Sequence, residues 1–130
     1  MATPSSPLDP FVRQATVLLT TYRRDGTPVG TPVNIAVVGP RAVIRTWDTA
    51  GKTKRIRRHP LVDVAPATNQ GHPTGPALRA RARVLDGDEA TQASRALARK
   101  YRVMHGLLVP LLYRLQRTRT VHIELTPLDG

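Results

Sequence analysis

Residues 43–65 read VIRTWDTAGKTKRIRRHPLVDVA, and the rest of the chain is organised around this stretch. The apolar and β-branched runs at its two ends predict strands, and residues 51–59 between them predict a short helix that ends before Pro60. The helix carries five cations and no acid, namely Lys52, Lys54, Arg55, Arg57 and Arg58. Free backbone N–H groups, the helix dipole and a lysine converge at the start of such a helix, which favours a bound phosphate.

The cations of this helix differ in the direction they are expected to take. At 3.6 residues per turn, Thr53 and Ile56 share one face, which is expected to be buried. Lys54, Arg55 and Arg58 lie on the opposite, solvent-facing side. Lys52 lies at the margin of the buried face in the first turn and is therefore the cation best placed to point inward.

Composition limits the class of protein. A chain of 130 residues is expected to form one domain, with residues 1–10 loose because they are rich in Pro and Ser. The net charge of +11 implies an anionic partner, which is a nucleic acid, an acidic membrane surface or a multiply charged small molecule. The absence of cysteine excludes disulfides, thiolate metal sites and cysteine nucleophiles. No signal peptide is indicated, so a cytoplasmic protein is the default expectation.

Three sequential strands precede the basic helix in this interpretation. Residues 15–22 and 27–38 flank an Asp-Gly turn signal, and residues 42–46 follow a Gly-Pro turn. Pro28 and Pro32 are unfavourable in a central strand, so the first half of the second strand is expected to be an edge or irregular. Short connections of this kind predict an antiparallel meander.

The second half of the chain adds strands and helices. Residues 61–67 and 76–85 predict two strands, the latter with apolar residues on one face and Arg79, Arg81 and Arg83 on the other. A helix over residues 90–104, a second amphipathic helix over residues 107–117 and a last strand over residues 119–125 complete the pattern. Six or more mostly sequential strands with few helices predict a mainly β protein with a small antiparallel barrel.

Three segments together carry a resemblance to a known family. TYRRDGTPVGTPVN, IRTWDTAGKTKRIRRHPLVDVAP and GHPTGPALRARARVL, in this order and spacing, resemble the split β-barrel flavin and deazaflavin oxidoreductases, the pyridoxamine 5′-phosphate oxidase-like group. Within that group, the chain most resembles short actinobacterial proteins that use the deazaflavin coenzyme F-420. The resemblance covers about residues 12–126. It implies a homodimer with the cofactor in a groove at the subunit interface.

The resemblance also implies which residues bind the cofactor. The helix start, Lys52 with Thr53 and Lys54, matches the segment that grips the cofactor phosphate, and Arg45 with Thr46 matches the strand end beside it. Two further groups match the segments along the tricyclic ring and at its border. They are Thr31, Pro32, Val33 and Asn34 for the ring, and Pro66, Ala67, Gly75 and Pro76 for its border and the tail.

The implied chemistry is hydride transfer between the reduced deazaflavin and an electron-poor small molecule, with the protein orienting the carrier. The sequence does not distinguish between Tyr22, Tyr101, Tyr113 and water as the proton donor. The net charge of +11 suits the phosphate and glutamate tail of the deazaflavin better than the single phosphate of FMN. An FMN-dependent oxidase or reductase of the same fold is the alternative, and a cofactor carrier without turnover is another.

Several features have a structural and a functional interpretation. The arginine ladder of residues 79–83 either lines a cofactor or dimer groove or is a plain exposed sheet face. Trp47 either stacks on a ring or packs in the core. Residues 99–117 either touch a membrane, cover a substrate pocket or pack on the barrel. The four histidines lack metal-ligand spacing, so no metal site is expected; His59 is expected at a helix end and His122 packed in a strand. Nucleic-acid binding is disfavoured because aromatics are few and no helix-turn-helix is present.

Overall fold

The computed structural model describes residues 6–47, 52–105 and 120–128, with the backbone alone for Trp47, Lys52 and residues 103–105. A 3₁₀ turn at Asp9–Phe11 precedes six strands and two helices in this part of the chain. In chain order the elements are β1 Thr16–Tyr22, β2 Pro28–Val38, β3 Arg41–Trp47, α1 Lys52–Arg58, β4 Leu61–Pro66, β5 Leu78–Val84, α2 Gly87–His105 and β6 Thr120–Pro127. The amphipathic helix predicted over residues 107–117 lies outside the described residues.

The strands close into an antiparallel barrel in the order β1-β2-β3-β6-β5-β4. The predicted meander is confirmed, because β1, β2 and β3 are neighbours in this order. The register runs from Thr16↔Asn34 to Tyr22↔Pro28 between the first two strands and from Asn34↔Arg45 to Val38↔Arg41 between the next two. The sequence prediction of a mainly β protein with an antiparallel barrel is therefore correct.

The barrel interior is filled by aliphatic side chains from alternate positions of all six strands, as the period of two requires. Ile35, Ile44, Ile123 and Leu125 are among the fully buried members. The interior also receives Ile56 from α1, which places the apolar face of that short helix against the core. The predicted buried face of α1 is confirmed, since Thr53 is buried as well.

The N-terminal segment is more ordered than its composition suggests. Leu8 and Phe11 are each 2% exposed and belong to the barrel core. The expectation that residues 1–10 are loose is therefore wrong for residues 6–10, because two apolar side chains anchor a stretch that is otherwise Pro- and Ser-rich.

At the two prolines of β2, the backbone groups point away from β1. The N–H of Arg23 donates to the carbonyl of Thr27 at 2.9 Å, which fixes the alternation of hydrogen-bonded pairs along the β1–β2 ladder. By this alternation, the odd-numbered residues of β2 bond to β1, and the peptide groups of Pro28, Gly30 and Pro32 point to the other side. No ladder bond is lost at the two prolines, and this half of β2 forms a regular strand at an edge.

Helix α2 covers the outer face of β2, β3 and β6 through a second apolar cluster. Its members are Ala36, Val43, Leu85, Ala93, Leu97 and Tyr101. Near its end, α2 also satisfies backbone groups that β1 does not reach, since β1 begins at Thr16. The hydroxyl of Tyr101 accepts from the N–H of Ile35 at 2.9 Å and donates to the carbonyl of Ala15 at 2.5 Å.

We call the hydrogen bonds of Tyr101 to Ile35 and Ala15 the Tyr101 junction, and Lys100 adds to it. Its Nζ donates to the carbonyls of Phe11 at 3.2 Å, Gln14 at 2.6 Å and Ile35 at 2.7 Å. Burial lowers the pKa of Lys100 to about 8. At pH 7 the ammonium group still carries three protons, one for each carbonyl, so the lysine serves as a structural tie.

No helix within residues 6–47, 52–105 and 120–128 is long and apolar enough to cross a membrane. Of the segment considered for membrane contact, residues 99–117, only 99–105 belong to the described part of the chain.

The Tyr101 junction gives a prediction for stability. Tyr101→Phe keeps the ring but leaves the buried N–H of Ile35 and the carbonyl of Ala15 without this partner, so we expect a loss of about 1–3 kcal/mol in the free energy of unfolding. Thr91→Ala is the control, because it removes an exposed hydroxyl from the same helix. Urea unfolding of both variants measures the difference, and an equal effect would contradict the assigned role of Tyr101.

Candidate functional site: an open strand edge between two basic groups

The first half of β2 has a strand neighbour on one side only. It pairs with β1 over its whole length, but its pairing with β3 begins at Asn34↔Arg45. The N–H of Gly30 and the carbonyls of Gly30 and Pro32 therefore point to an edge that neither β1 nor β3 occupies in the described residues. Backbone donors and acceptors of this kind fix the polar rim of a planar ring.

The four residues predicted to lie along the ring are split between two faces of β2. Val33 is buried in the core, and Thr31 shares its face. Pro32 and Asn34 are on the outer face. The side chain of Val33 therefore cannot touch a ligand on the outer surface, and only the backbone of this residue is available.

A loop after β4 packs against this edge. Gly71 has a φ of 90° and lies against the ring of Pro32, where an added Cβ would be 3.5 Å from Cδ. Gly75 lies so close to Pro66 that an added Cβ would be 3.0 Å from its Cγ. The loop thus places Gly71 on Pro32 and Gly75 on Pro66, and the sequence prediction missed Gly71. The positive φ of Gly71 is visible only in the folded chain.

The same loop is held by a small hydrogen-bond network. The N–H of Thr74 donates to the carbonyl of Pro66 at 2.7 Å, and Ala67 forms an isolated bridge with Pro73. The amide of Gln14 donates to the carbonyl of Ala67 at 2.9 Å. Pro76, the last residue predicted at the ring border, follows on the exposed surface. The loop therefore has a fixed conformation at the border of the β2 edge.

A row of polar side chains crosses the outer face at one end of the edge. Asn34 is opposite Arg45 on β3, and Arg45 is opposite His122 on β6. His122 is half-buried, and its Nε2 has no hydrogen-bond partner. Burial, and secondly the charge of Arg45, lowers the pKa of His122, so the imidazole is neutral at pH 7.

Arg45 and Thr46 were predicted to act together, but they point to opposite faces of β3. Thr46 is 5% exposed and shares the interior face with Ile44, whereas Arg45 is on the outer face. The reason is the period of two in a strand, which separates any two consecutive side chains. On the outer face, the neighbour of Arg45 is His122 of β6 instead of Thr46. The prediction that His122 packs in a strand is correct, but its position in a polar row was not visible from spacing alone.

A group of arginines lies at the other end of the edge, where α1 meets the β1–β2 hairpin. Nε of Arg55 donates to Oγ1 of Thr21 at 2.8 Å. Burial, followed by the charges of Arg23 and Arg58, lowers the pKa of the Arg55 guanidinium. None of the ion pairs in the described part of the chain includes these three arginines.

The directions expected for the α1 cations are partly confirmed. Lys54 and Arg58 are exposed, as predicted. Arg55 was also expected to face solvent, but it is half-buried because the hydroxyl of Thr21 at the barrel end gives its guanidinium a hydrogen-bond acceptor. The side chain of Lys52 lies outside the described atoms, so its inward direction stays a prediction. Beside it, Oγ1 of Thr53 is buried without a hydrogen-bond partner.

The arginine ladder of β5 is largely engaged with acids of the protein. Nε of Arg79 lies 3.1 Å from Oδ1 of Asp63, and NH2 of Arg83 lies 2.6 Å from Oε2 of Glu89 and 3.2 Å from Oε1 of Glu124. These pairs tie β5 to β4, α2 and β6. Arg79 and Arg83 are therefore ion-paired members of an exposed sheet face, and the alternative that the ladder lines a cofactor or dimer groove stays a prediction.

The described residues contain no group of three or more potential metal ligands. The backbone N–H of His59 donates to the carbonyl of Arg55 at 2.7 Å, at the helix end where it was expected. The ring of His59 packs against Tyr22, with centroids 6.2 Å apart. The side chains of Trp47 and His105 lie outside the described atoms.

Comparison with known proteins identifies the fold. No family model and no curated protein matches the chain by sequence. Solved structures do match, among them a candidate pyridoxamine 5′-phosphate oxidase from Listeria innocua, with 17% identity, a TM-score of 0.61, and coverage of 90% of this chain and 86% of the other. An F420 reductase matches with 20% identity, a TM-score of 0.62, and coverage of 98% and 97%. The heme storage protein HutZ from Vibrio cholerae matches with 16% identity, a TM-score of 0.67, and coverage of 95% and 92%.

These neighbours are split-barrel proteins, and the chain has their fold: a closed six-stranded barrel with two helices in the described part. The predicted resemblance to the pyridoxamine 5′-phosphate oxidase-like group is confirmed at the level of fold. Of the three neighbours named, the F420 reductase is the one whose name includes the deazaflavin coenzyme.

The environment of His122 gives a prediction on pH. The ordinary pKa of histidine is 6.5, and that of folded His122 is lower. Below pH 6.5 the unfolded chain therefore binds more protons at this residue than the folded chain does, and stability falls as the pH decreases towards the folded pKa. His122→Gln is expected to remove this part of the slope. Chemical denaturation at a series of pH values measures it, and parallel curves for parent and variant would contradict the assignment.

Proposed function

We propose that the chain is an oxidoreductase that binds the deazaflavin coenzyme F-420 along the open edge of β2. The observation that carries the proposal is the placement of positive charge at both ends of this edge. Arg45 lies at one end, and Arg23, Arg55 and Arg58 lie at the other. A ligand with a planar polar ring and a polyanionic tail matches this arrangement of backbone groups and cations.

Individual residues have distinct tasks in the proposal. The N–H of Gly30 and the carbonyl of Pro32 orient the polar rim of the ring, and the loop around Gly71 borders it. The cations of α1, with Lys52 first among them, hold the phosphate, and the outer cations meet the acidic tail. When bound, the deazaflavin supplies a hydride to an electron-poor substrate.

The tyrosines in the described part of the chain are poorly placed as proton donors. The hydroxyl of Tyr22 donates to Asp63, and this hydrogen bond raises the pKa of Tyr22. The hydroxyl of Tyr101 is used in the junction between α2 and β2. Tyr113 lies outside the described residues. Water or Tyr113 is therefore the proposed source of any proton that the reaction needs.

The homodimer with cofactor at the subunit interface is part of the proposal. One chain supplies an edge, a loop and cations on one side of the ligand. A second chain would cover the other face of the ring and exclude water from it.

FMN is the second candidate cofactor, because the fold also occurs in a candidate pyridoxamine 5′-phosphate oxidase. A protein that is yellow as purified and retains a flavin absorption band would favour FMN. Hemin is a third titrant because HutZ, a heme storage protein, has the same fold. Duplex DNA tests the nucleic-acid interpretation of the net charge of +11.

The proposal predicts a binding hierarchy. Titrations of the purified chain with coenzyme F-420, FMN, hemin and DNA, followed through the fluorescence of Trp47 where the ligand permits, are expected to give the tightest binding for the deazaflavin. Tighter binding of FMN or hemin would show that the proposed cofactor is the wrong one. Tight, salt-sensitive DNA binding without cofactor binding would overturn the proposal that the chain is an enzyme.

The phosphate contact has a test of its own. Lys52→Ala is expected to weaken coenzyme F-420 binding by about 1.5–3 kcal/mol, because a charged hydrogen bond to phosphate is lost. Arg95→Ala is the matched control, since it removes one exposed positive charge from α2, away from the edge. If the two changes weaken coenzyme F-420 binding equally, Lys52 contributes only a general electrostatic attraction. Lys52 would then be interpreted as part of a solvated helix face.

A further inference from the structure

A second concave surface lies on the outer face, apart from the edge of β2 that the proposed cofactor uses. It has a volume of about 620 Å³ and runs between α2, the end of β2 and the segment after the 3₁₀ turn. We call it the α2 groove. Its lining includes Val12 and Arg13 from the segment after the 3₁₀ turn, Ala36 and Val38 from β2, and Ala96 and Arg99 from α2.

The floor and inner walls of the α2 groove are apolar. Val12 is 50% exposed and Val38 is 49% exposed, and they are the large hydrophobic side chains with high exposure in the described part of the chain. Ala36 and Ala96 leave space between the helix and the strand because their side chains are small. The groove therefore offers an apolar ligand two valine side chains that otherwise stay in water.

The charges of the groove are all positive. Arg13 lines it from the segment after the 3₁₀ turn and Arg99 lines it from α2, and no acidic residue in the described part of the chain lines it. Neither arginine takes part in an ion pair within the described residues. Lys100 also lines the groove, but its three protons are committed to backbone carbonyls. Two guanidinium groups are thus available at the rim of an apolar channel.

We propose that the α2 groove binds a small amphipathic carboxylate, with its apolar body against Val12 and Val38 and its carboxylate between Arg13 and Arg99. The volume lies within the usual range of about 300–1,000 Å³ for small-molecule sites. Guanidinium groups pair with carboxylates through two parallel hydrogen bonds, which a neutral head group cannot match.

The charge pattern argues against a second copy of the chain as the occupant. A twofold contact centred on the groove would bring Arg13 and Arg99 of one copy towards the same two residues of the other. Like charges in a desolvated interface are unfavourable, and no acid of the groove lining would compensate them.

The test uses the full chain and two ten-carbon probes, decanoate and decanol, measured by calorimetric titration at low salt. Decanoate is expected to bind at one site, and at least about tenfold more tightly than decanol, because only the carboxylate pairs with the arginines. Arg13→Gln with Arg99→Gln is expected to weaken decanoate binding about tenfold and to leave decanol binding unchanged. Arg95→Gln with Arg102→Gln is the matched control, since it removes two exposed charges of α2 that do not line the groove.

A second variant tests the apolar part. Ala96→Phe fills the groove and is expected to abolish binding of both probes, with far-ultraviolet circular dichroism as the check on folding. Equal binding of decanoate and decanol, or an equal effect of the two arginine pairs, would overturn the proposal whether or not Ala96→Phe folds. A chain that binds neither probe but is a dimer dissociated by Val38→Asp would also overturn it, in favour of an interface between copies. The deazaflavin is absent from every arm, so these results are independent of the proposed function.

Discussion

The hydrogen bonds between α2 and the backbone of Ile35 join the covering helix to the barrel. Strand β2 is longer than β1, so Ile35 has peptide groups that no strand satisfies at this end. Tyr101 and Lys100 satisfy them instead and also bind Ala15 and the segment after the 3₁₀ turn. This junction fixes α2 over the outer face, and the same placement leaves a groove between the helix and the strand.

The two ends of β2 differ in what they offer to a ligand. Its first half projects beyond β3. Successive peptide groups there point in turn to the complete ladder with β1 and to the open edge. Its second half pairs with β3, extends past the start of β1, and carries the small outward side chains of Ala36 and Val38 beside α2. One strand thereby separates a polar edge with cations at both ends from an apolar groove with cations at its rim.

Much of the architecture was predictable because it depends on local patterns. The alternation in residues 78–84 predicted the faces of β5, and the Asp-Gly signal predicted the first hairpin. The positions of Thr53 and Ile56 predicted the buried face of α1.

The site was less predictable. Thr46 was expected beside Arg45 on a ligand, but consecutive residues of a strand point to opposite faces. Arg55 was expected in solvent, but Thr21, 34 residues earlier in the chain, gives it an acceptor.

The amino-acid sequence was enough to predict the class of fold, the edge character of the proline-containing strand and the presence of a basic helix, because hydrophobic periodicity, turn residues and charge act over a few residues. Three features become visible only in the folded chain. Asn34, Arg45 and His122 form one row, Gly71 packs on Pro32, and α2 covers one face and leaves a groove beside it. These contacts join residues far apart in the chain. They depend on register, barrel closure and the backbone groups that each strand leaves unsatisfied, and none of these quantities is written in a local pattern.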